Sequence, residues 1–267
     1  MDKCIAALFA SALLSAAALA PGLSASTPIG AEVQGAEYDA ARGVTTVHIV
    51  NTSHKEISAI DLAFQVTFAD GTQSAPGSSF RAQDFVAGIM QGRGGFAPDA
   101  KLDLEFPGQE GPVRATVDVV IYADGTADVV NEQVFKSLVA DRKGAVRGMR
   151  KVNELLNIAL ADPSLQHPSA TVMVQLESLN AVIKAGGSLD EDRGGFAMEL
   201  QRAIQDISHT WQSPDGRSER EDRRLREYIV RNEEQIALLL PHTKVIPARR
   251  CRVDTARIPD QCILPVS

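Results

Sequence analysis

The spacing of apolar residues changes once along the chain, and this change constrains the fold more than any other feature. Before residue 131 apolar residues alternate with other residues, most clearly at Ile60, Leu62, Phe64, Val66 and Phe68. A period of two predicts β-strands with one face toward a core. From residue 131 onward apolar residues recur every three or four positions, which predicts amphipathic helices. The expected fold class is therefore α+β, with a β half followed by a helical half.

Short strands separated by turn residues fill the β half. The predicted strands cover residues 31–38, 44–51, 60–68, 79–85, 101–106 and 113–121. Many short strands in one domain are typical of an antiparallel immunoglobulin-like β-sandwich, here without the Cys, Trp, Cys framework of antibody domains. Asp70-Gly71 and Asp124-Gly125 each follow an alternating strand. Both dipeptides predict type I′ hairpin turns, in which the two central residues have positive φ.

The helical half predicts a bundle of three to four helices. A first helix runs from residue 131 to Asp162, with Gly144 and Gly148 as points where it bends or splits, and a second covers residues 169–184. Ser188 with Glu191, and Ser218 with Glu221, have capping-box spacing and predict the starts of the third and fourth helices. The fourth ends before Pro241, since proline cannot continue a helix.

The fourth predicted helix carries a seam at residues Leu225, Ile229, Asn232, Ile236 and Leu239. Its spacing approaches that of a coiled coil but covers only about two heptads, so packing within one chain is favoured over a dimer zipper. The expected oligomeric state is a monomer.

The N-terminal segment predicts export. Lys3 precedes an apolar run over residues 5–20, which Pro21-Gly22 interrupts. This pattern is typical of a signal peptide over residues 1–25, with a mature chain beginning near Ser26; a retained membrane anchor is the less favoured alternative. After cleavage no integral membrane segment is expected. The predicted location is periplasmic or secreted.

Cleavage removes Cys4 and leaves Cys251 and Cys262. Two cysteines in an exported chain predict one disulfide, Cys251 to Cys262, which closes a C-terminal tail over residues 242–267. A metal or redox pair is less favoured, because their spacing is not C-x-x-C and no histidine lies near them. The expected organisation is then a signal peptide over 1–25, a sandwich over 26–130, a helical bundle over 131–241 and this tail.

Charge is distributed unevenly between the two halves. Residues 26–130 hold 6 Lys/Arg against 14 Asp/Glu, a net charge of −8, whereas residues 131–267 hold 20 against 19, a net charge of +1. An acidic β half repels nucleic acid, so no nucleic-acid partner is expected. The basic residues of the tail are expected to dock within the chain rather than on an acidic partner. They are Lys244, Arg249, Arg250, Arg252 and Arg257.

No spacing in the sequence predicts a catalytic, cofactor or metal site. The five histidines, His48, His54, His167, His209 and His242, lack the spacings of metal ligands. Asp61 and Asp118 lie in the middle of predicted strands, on the faces opposite the apolar residues. They are expected to be solvated surface carboxylates, and a general acid and base pair is the less favoured alternative.

Three segments of the sequence together carry a resemblance. Asn51-Thr52-Ser53 leads into residues 55–61, residues 120–126 follow later, and a charged helix carries Arg142. This order resembles a group of uncharacterised exported bacterial proteins with an immunoglobulin-like N-terminal β domain followed by helices. The resemblance covers the β half and the first helix. It implies export and this domain order, and it adds nothing about activity.

Two functions are carried forward from the sequence. The preferred one is a non-catalytic exported protein that binds or assembles with a cell-envelope protein or glycan. The sequence does not distinguish this role from that of a structural spacer. The alternative is a hydrolase of an envelope polymer with its site between the β and helical halves. In that case the loop over residues 71–112, with Arg81, Asp84 and Arg93, is the expected lid.

Overall fold

The computed structural model describes residues 29–74, 79–86, 95–107, 111, 113–185, 192–210, 217–254 and 258–263. The fold is α+β: strands in two sheets precede four α-helices, and two further strands follow the helices. The predicted leader, and the predicted helix start at Ser188 with Glu191, lie outside the described residues. The strands are β1 (Ala31–Asp39), β2 (Val44–Asn51), β3 (Ile57–Val66), β4 (Ser79–Asp84), β5 (Lys101–Pro107), β6 (Val113–Tyr122), β7 (Thr126–Val129), β8 (Ile246–Asp254) and β9 (Ile258–Ile263). The helices are α1 (Glu132–Ala161), α2 (Pro168–Lys184), α3 (Arg193–Thr210) and α4 (Glu219–Leu239), and a 3₁₀ turn (Leu240–Thr243) follows α4.

The strands form two sheets that share one apolar core. One sheet has the order β1-β2-β5 and the other β4-β3-β6-β7-β8-β9, and neither closes into a barrel within the described residues. Pairing is antiparallel except between β7 and β8, which are parallel. Val47 and Leu104 of the first sheet share a buried cluster with Ile60 and Val117 of the second. The core therefore lies between the sheets, on the apolar faces that the alternation predicted.

A β-bulge at Asp118 changes which residues of β6 face this core. Asp61 of β3 pairs with Val119, but the next residue of β3 pairs with Val117, which leaves Asp118 as the extra residue. After the bulge Val120 enters the core between the sheets, and Val119 turns to the opposite face. The expectation of one uninterrupted alternation through β6 is therefore wrong beyond Val117, because one inserted residue reverses the faces of all that follow.

The two Asp-Gly turns differ from their predicted type. Gly71 and Gly125 have φ of +81° and +80°, but neither preceding aspartate has positive φ. Each aspartate instead accepts hydrogen bonds on Oδ1 from the following threonine, as Asp70 does from the Thr72 amide at 2.9 Å. A type I′ turn requires positive φ at both positions, so that prediction is wrong. Only the glycine adopts the left-handed conformation, and the aspartate closes an Asx turn.

The helix α1 is continuous and packs closely against α3. Gly144 and Gly148 do not split the helix. Both glycines lie at the place where α3 crosses α1. A Cβ on Gly144 would lie 1.9 Å from the Asp192 backbone oxygen, and one on Gly195 of α3 would lie 1.8 Å from the Asp141 oxygen. Small residues on both helices allow the two backbones to approach. These glycines therefore allow the close packing of α1 against α3.

All four helices contribute to a second apolar cluster, represented by Leu156, Leu176, Leu200 and Leu225. The α4 seam faces α1: the buried Asn232 donates from Nδ2 to Asn153 Oδ1 at 2.8 Å. The seam therefore packs within the chain, as its short length predicted.

The capping of α4 is confirmed only in part. The Ser218 hydroxyl accepts from the Glu221 amide at 3.2 Å, so Ser218 is the N-cap. The Glu221 side chain does not return to Ser218. It is buried and accepts from the Ser169 amide at 3.1 Å, near the start of α2. The predicted return of the Glu221 side chain to Ser218 is therefore wrong. The buried Ser169 amide at the start of α2 has no partner within its own helix, so it binds the carboxylate instead.

After the helices the chain returns to the larger sheet. Ile246 pairs with Thr126, so β8 extends the sheet beyond β7, and β9 pairs antiparallel with β8. The Arg249 guanidinium bonds to the buried Asp128 carboxylate, with Nε 2.7 Å from Oδ1. The expected docking of a basic tail residue within the chain is therefore confirmed for Arg249. None of the described helices is long and apolar enough to span a membrane.

Candidate functional site

The outer face of the larger sheet, on the side of α1, carries a group of buried polar side chains, those of Ser58, Asp61 and Asp118. Ala59 and Val119 on this face pack against Phe135 and Leu138 of α1. Two irregularities in the β3–β6 pairing, at Ser58 and at Asp118, add polar residues among these apolar ones. We define two groups here: the Arg142 cluster (Ser58, Asp84, Arg142 and His242) and the carboxyl pair (Asp61 and Asp118).

Arg142 is the centre of the first group, and its side chain is fully buried. Its Nε donates to Asp84 Oδ2 at 2.6 Å and its Nη2 to Oδ1 at 3.2 Å, which is a bidentate ion pair. Nη2 also donates to the Ser58 carbonyl at 3.1 Å, and Nη1 donates to the His242 carbonyl at 3.3 Å. One side chain thereby connects β3, the end of β4, α1 and the 3₁₀ turn.

His242 completes this cluster through its backbone rather than its ring. Its Nδ1 is buried and has no hydrogen-bond partner among the described residues. Burial and, next, the neighbouring Arg142 charge lower the pKa of the imidazole below its ordinary value. The ring is therefore neutral at pH 7, a state suited to a proton acceptor. The hydroxyl of the cluster, that of Ser58, is buried and donates to the Ile121 carbonyl at 3.1 Å, so it is not presented to a substrate.

The carboxyl pair is buried, contrary to the expectation of solvated surface groups. Asp61 is 2% exposed and Asp118 is 9% exposed, because the side of the sheet that they occupy is covered. Asp118 Oδ2 accepts from Asn131 Nδ2 at 3.3 Å, whereas Asp61 Oδ1 accepts no hydrogen bond from the described part of the chain. The alternation of apolar residues predicted the correct face of the sheet for both aspartates. It could not show that helices cover this face.

Burial, and then repulsion from Asp118, raise the pKa of Asp61 to about 7. A carboxyl group that titrates near neutral pH beside a second carboxyl is the type of group that general acid–base catalysis uses. Such a group must also reach substrate, and 2% exposure gives it no access in this conformation. Among the described residues no cluster of three or more His, Cys, Asp and Glu side chains is suited to hold a metal ion.

The other polar residues singled out in the sequence are dispersed. His48 lies on the outer face of the smaller sheet, away from the core, with Nδ1 2.8 Å from Asp103 Oδ1 and Nε2 3.7 Å from Glu37 Oε1. The hydrogen bond to Asp103 is the largest of the effects that raise the pKa of this imidazole. Asp84, one of the predicted lid residues, is the partner of Arg142, and the side chains of Arg81 and Arg93 lie outside the description.

The predicted disulfide lies on the β8–β9 ribbon. Cys251 and Cys262 are directly opposite each other in the backbone register of this antiparallel pair. Their side chains lie outside the description, so the bond itself stays a prediction.

Sequence reasoning missed the Arg142 cluster. It expected the basic tail residues to dock within the chain but did not identify their partners in a second ion-pair network, which spans β6, β7 and β8. In that network Tyr122 donates from its hydroxyl to Asp128 Oδ2 at 2.5 Å, and Arg249 binds the same carboxylate. Both networks include partners far apart in the sequence, 58 positions between Asp84 and Arg142 and 121 between Asp128 and Arg249. The only local signal was an arginine on the apolar side of the α1 pattern.

Comparison of the chain with protein-family models found no match. Comparisons with curated proteins and with solved structures found none either. The resemblance to the exported bacterial group stays a prediction, and function is inferred from the residues of this chain.

Proposed function

We propose that this chain is an exported, non-catalytic protein that binds or assembles with a component of the bacterial cell envelope. Its domains would be an immunoglobulin-like sandwich over residues 26–130, a helical bundle over 131–241 and a disulfide-closed tail over 242–267. The mature protein would begin near Ser26 and act in the periplasm or outside the cell.

The strand order supports the immunoglobulin-like assignment. The first, second and fifth strands form one sheet, and the third, sixth and seventh lie together in the other. This is the division of strands in immunoglobulin-like sandwiches, except that β4 pairs with β3 and not with β5 as in the antibody constant type. The single cluster shared by α1 to α4 supports the helical bundle in the same way.

The observation that carries the non-catalytic proposal is that the buried arginines bind other groups of the protein and the buried carboxyl pair is closed to substrate. Arg142 is bound by Asp84 and two carbonyls, and Arg249 by Asp128. Asp61 and Asp118 are too buried to meet a substrate. Catalytic groups need a concave site in which substrate reaches them, and these groups instead hold elements together.

The outer face of the smaller sheet is the surface proposed for binding. The larger sheet packs α1 on its outer face, whereas the smaller sheet leaves Glu37, Asp103 and Glu105 with side chains 82%, 66% and 56% exposed. A flat antiparallel face rich in carboxylates is suited to a partner with basic groups, since such charges steer association.

Site-specific photo-crosslinking in intact cells tests this proposal. A photoreactive residue at position 37 or 105 should capture the same envelope protein or glycan, and one at the exposed Val174 of α2 should not. Equal capture at all three positions, or none at positions 37 and 105, would contradict the proposed binding face.

Export and the disulfide are tested by mass spectrometry of the protein purified from the cell envelope fraction. We expect a mature N-terminus near Ser26 and a Cys251–Cys262 peptide that separates only after reduction. Opposite residues in an antiparallel pair have Cα atoms about 4.5 to 5.5 Å apart, which suits a disulfide. The bond should contribute about 3 kcal/mol to stability, so Cys251→Ser should lose that amount and reduction should not destabilise the variant further.

The alternative, an envelope-polymer hydrolase, has one specific observation in its favour. Asp61 has a pKa near 7 beside a second carboxyl, and an opening of the covering layer would expose both. Release of soluble fragments from purified envelope polymer, lost in both Asp61→Asn and Asp118→Asn, would support the hydrolase. Activity that survives both substitutions would exclude this site.

A further inference from the structure

The carboxyl pair lies in an environment that does not accept two negative charges. Asp61 and Asp118 are on the same face of adjacent strands, and the bulge places Asp118 as the extra residue beside the pairing of Asp61 with Val119. The face also carries the apolar residues that pack against α1. A buried carboxylate oxygen without a donor costs several kcal/mol, and a second carboxylate beside it adds repulsion.

Charged and titratable groups lie on the elements that neighbour β3. Asp118 projects from β6, Asp84 ends β4, and Asp141 and Arg142 lie on α1 with His242 beyond them. The positive charge of Arg142 is directed to Asp84 through two hydrogen bonds. The charge that acts on Asp61 is that of Asp118, which is negative.

We propose that the carboxyl pair is a proton-dependent latch between the larger sheet and the helical half. With a proton on Asp61 the pair carries a single negative charge, and α1 packs firmly on the sheet. When Asp61 releases this proton to solvent, two carboxylates face each other under the helix, and the interface opens more often to hydrate them.

The direction of the pH effect follows from the two states. In the packed state the pKa of Asp61 is about 7, and in an opened, solvated state it returns to the ordinary aspartate value near 4. Between these values the packed state binds more protons than the open one. Opening therefore becomes more frequent as pH rises from about 4 to about 7, by about tenfold for each pH unit, and is constant above pH 7.

Hydrogen–deuterium exchange of the full chain between pH 4.5 and 8.5, corrected for the intrinsic exchange rate, tests the latch. We expect the protection of β3 and α1 amides to fall about tenfold per pH unit in the acidic range and to level off near pH 7. Asp61→Asn should remove this slope, whereas Glu32→Gln, at an exposed position on β1, should retain it. Equal slopes in Asp61→Asn and the unmodified protein, or no slope in the latter, would overturn the proposal.

A direct titration keeps the proposal testable if Asp61→Asn does not fold. Carboxyl carbon NMR of the unmodified protein should show one aspartate with a midpoint near pH 7, and Asp118→Asn should move that midpoint toward lower pH. Aspartates that all titrate near pH 4 would refute the latch.

Discussion

Replacing Arg142 by methionine is expected to be among the most damaging single changes to this fold. Methionine keeps an unbranched side chain but removes all five guanidinium donors. The change leaves Asp84, whose side chain is only 15% exposed, without its bidentate partner. It also removes the donors that the Ser58 and His242 carbonyls accept from.

The magnitude follows from the burial of the pair. Breaking a buried ion pair by removing one partner costs roughly 3–5 kcal/mol, because the other charge loses its counter-charge while it stays largely buried. Asp84 would keep the hydrogen bond that the Val86 amide donates to its Oδ1 at 2.9 Å. A matched control lies on the smaller sheet, where Arg42 Nη2 is 3.2 Å from Glu105 Oε2 with side chains 58% and 56% exposed. Exposed pairs contribute about 0.2–1 kcal/mol, so Arg42→Met should lose no more than this.

Urea unfolding at pH 7, followed by far-ultraviolet circular dichroism, measures both losses. If Arg142→Met is too unstable to study, Asp84→Asn should show a loss of similar direction, and Arg142→Met/Asp84→Leu should recover part of the stability, since no lone charge remains. Losses of equal size at Arg142 and Arg42 would refute the reasoning, as would strictly additive effects of the paired substitutions.

Two further predictions concern the helix crossing and the smaller sheet. Gly144→Ala should lower the free energy of unfolding by roughly 1–3 kcal/mol, because the added Cβ would lie 1.9 Å from the Asp192 backbone oxygen. The control Gly35→Ala, whose Cβ would have its nearest neighbour at 3.9 Å, should change this free energy by less than about 0.5 kcal/mol. Thermal unfolding of the two variants compares these losses. His48 should titrate above its ordinary pKa, so its ion pair should stabilise the fold at acidic pH and lose that effect as pH rises through the raised value. Proton NMR should show the imidazole midpoint falling in Asp103→Asn, and an unchanged midpoint would contradict the assigned cause.

The strands β1 to β6 and the start of α1 were predictable because their signals are local. The β2 prediction of residues 44–51 matches the strand, since its alternation is bounded by turn residues on both sides. The start of α1 follows from Asn131, whose side chain accepts from the Val134 amide as an N-cap. Features that depend on a few neighbouring residues are thus recoverable from one sequence.

The candidate site was not predictable in the same way. The alternation placed Asp61 on the correct face of β3, but whether that face meets water depends on a helix more than seventy residues away. The bulge at Asp118 has no unique sequence signal, and it moved Val120 into the core in place of Val119. A strand pattern states which side chains share a face and does not state what covers the face.

The structure of the C-terminal tail also could not be predicted from local sequence. Its two cysteines predicted a tail closed by a disulfide, and nothing local indicated a strand that adds to the larger sheet. The pairing of β8 with β7 is parallel, so it depends on a connection through the whole helical half.

This connection also determines how the proposed latch can move. The helical half leaves the sheet after β7 and returns in the adjacent β8, where the Ile246 amide donates to the Gly125 carbonyl at 2.9 Å. At its start the Val130 amide donates to the Asp118 carbonyl at 2.8 Å. Both ends are thus held on the sheet, so ionisation of Asp61 can loosen the packed face of α1 without detaching the helices. Exchange that rises with pH in β3 and α1 should therefore leave β7 protected, and parallel loss of protection in β7 would indicate global unfolding instead.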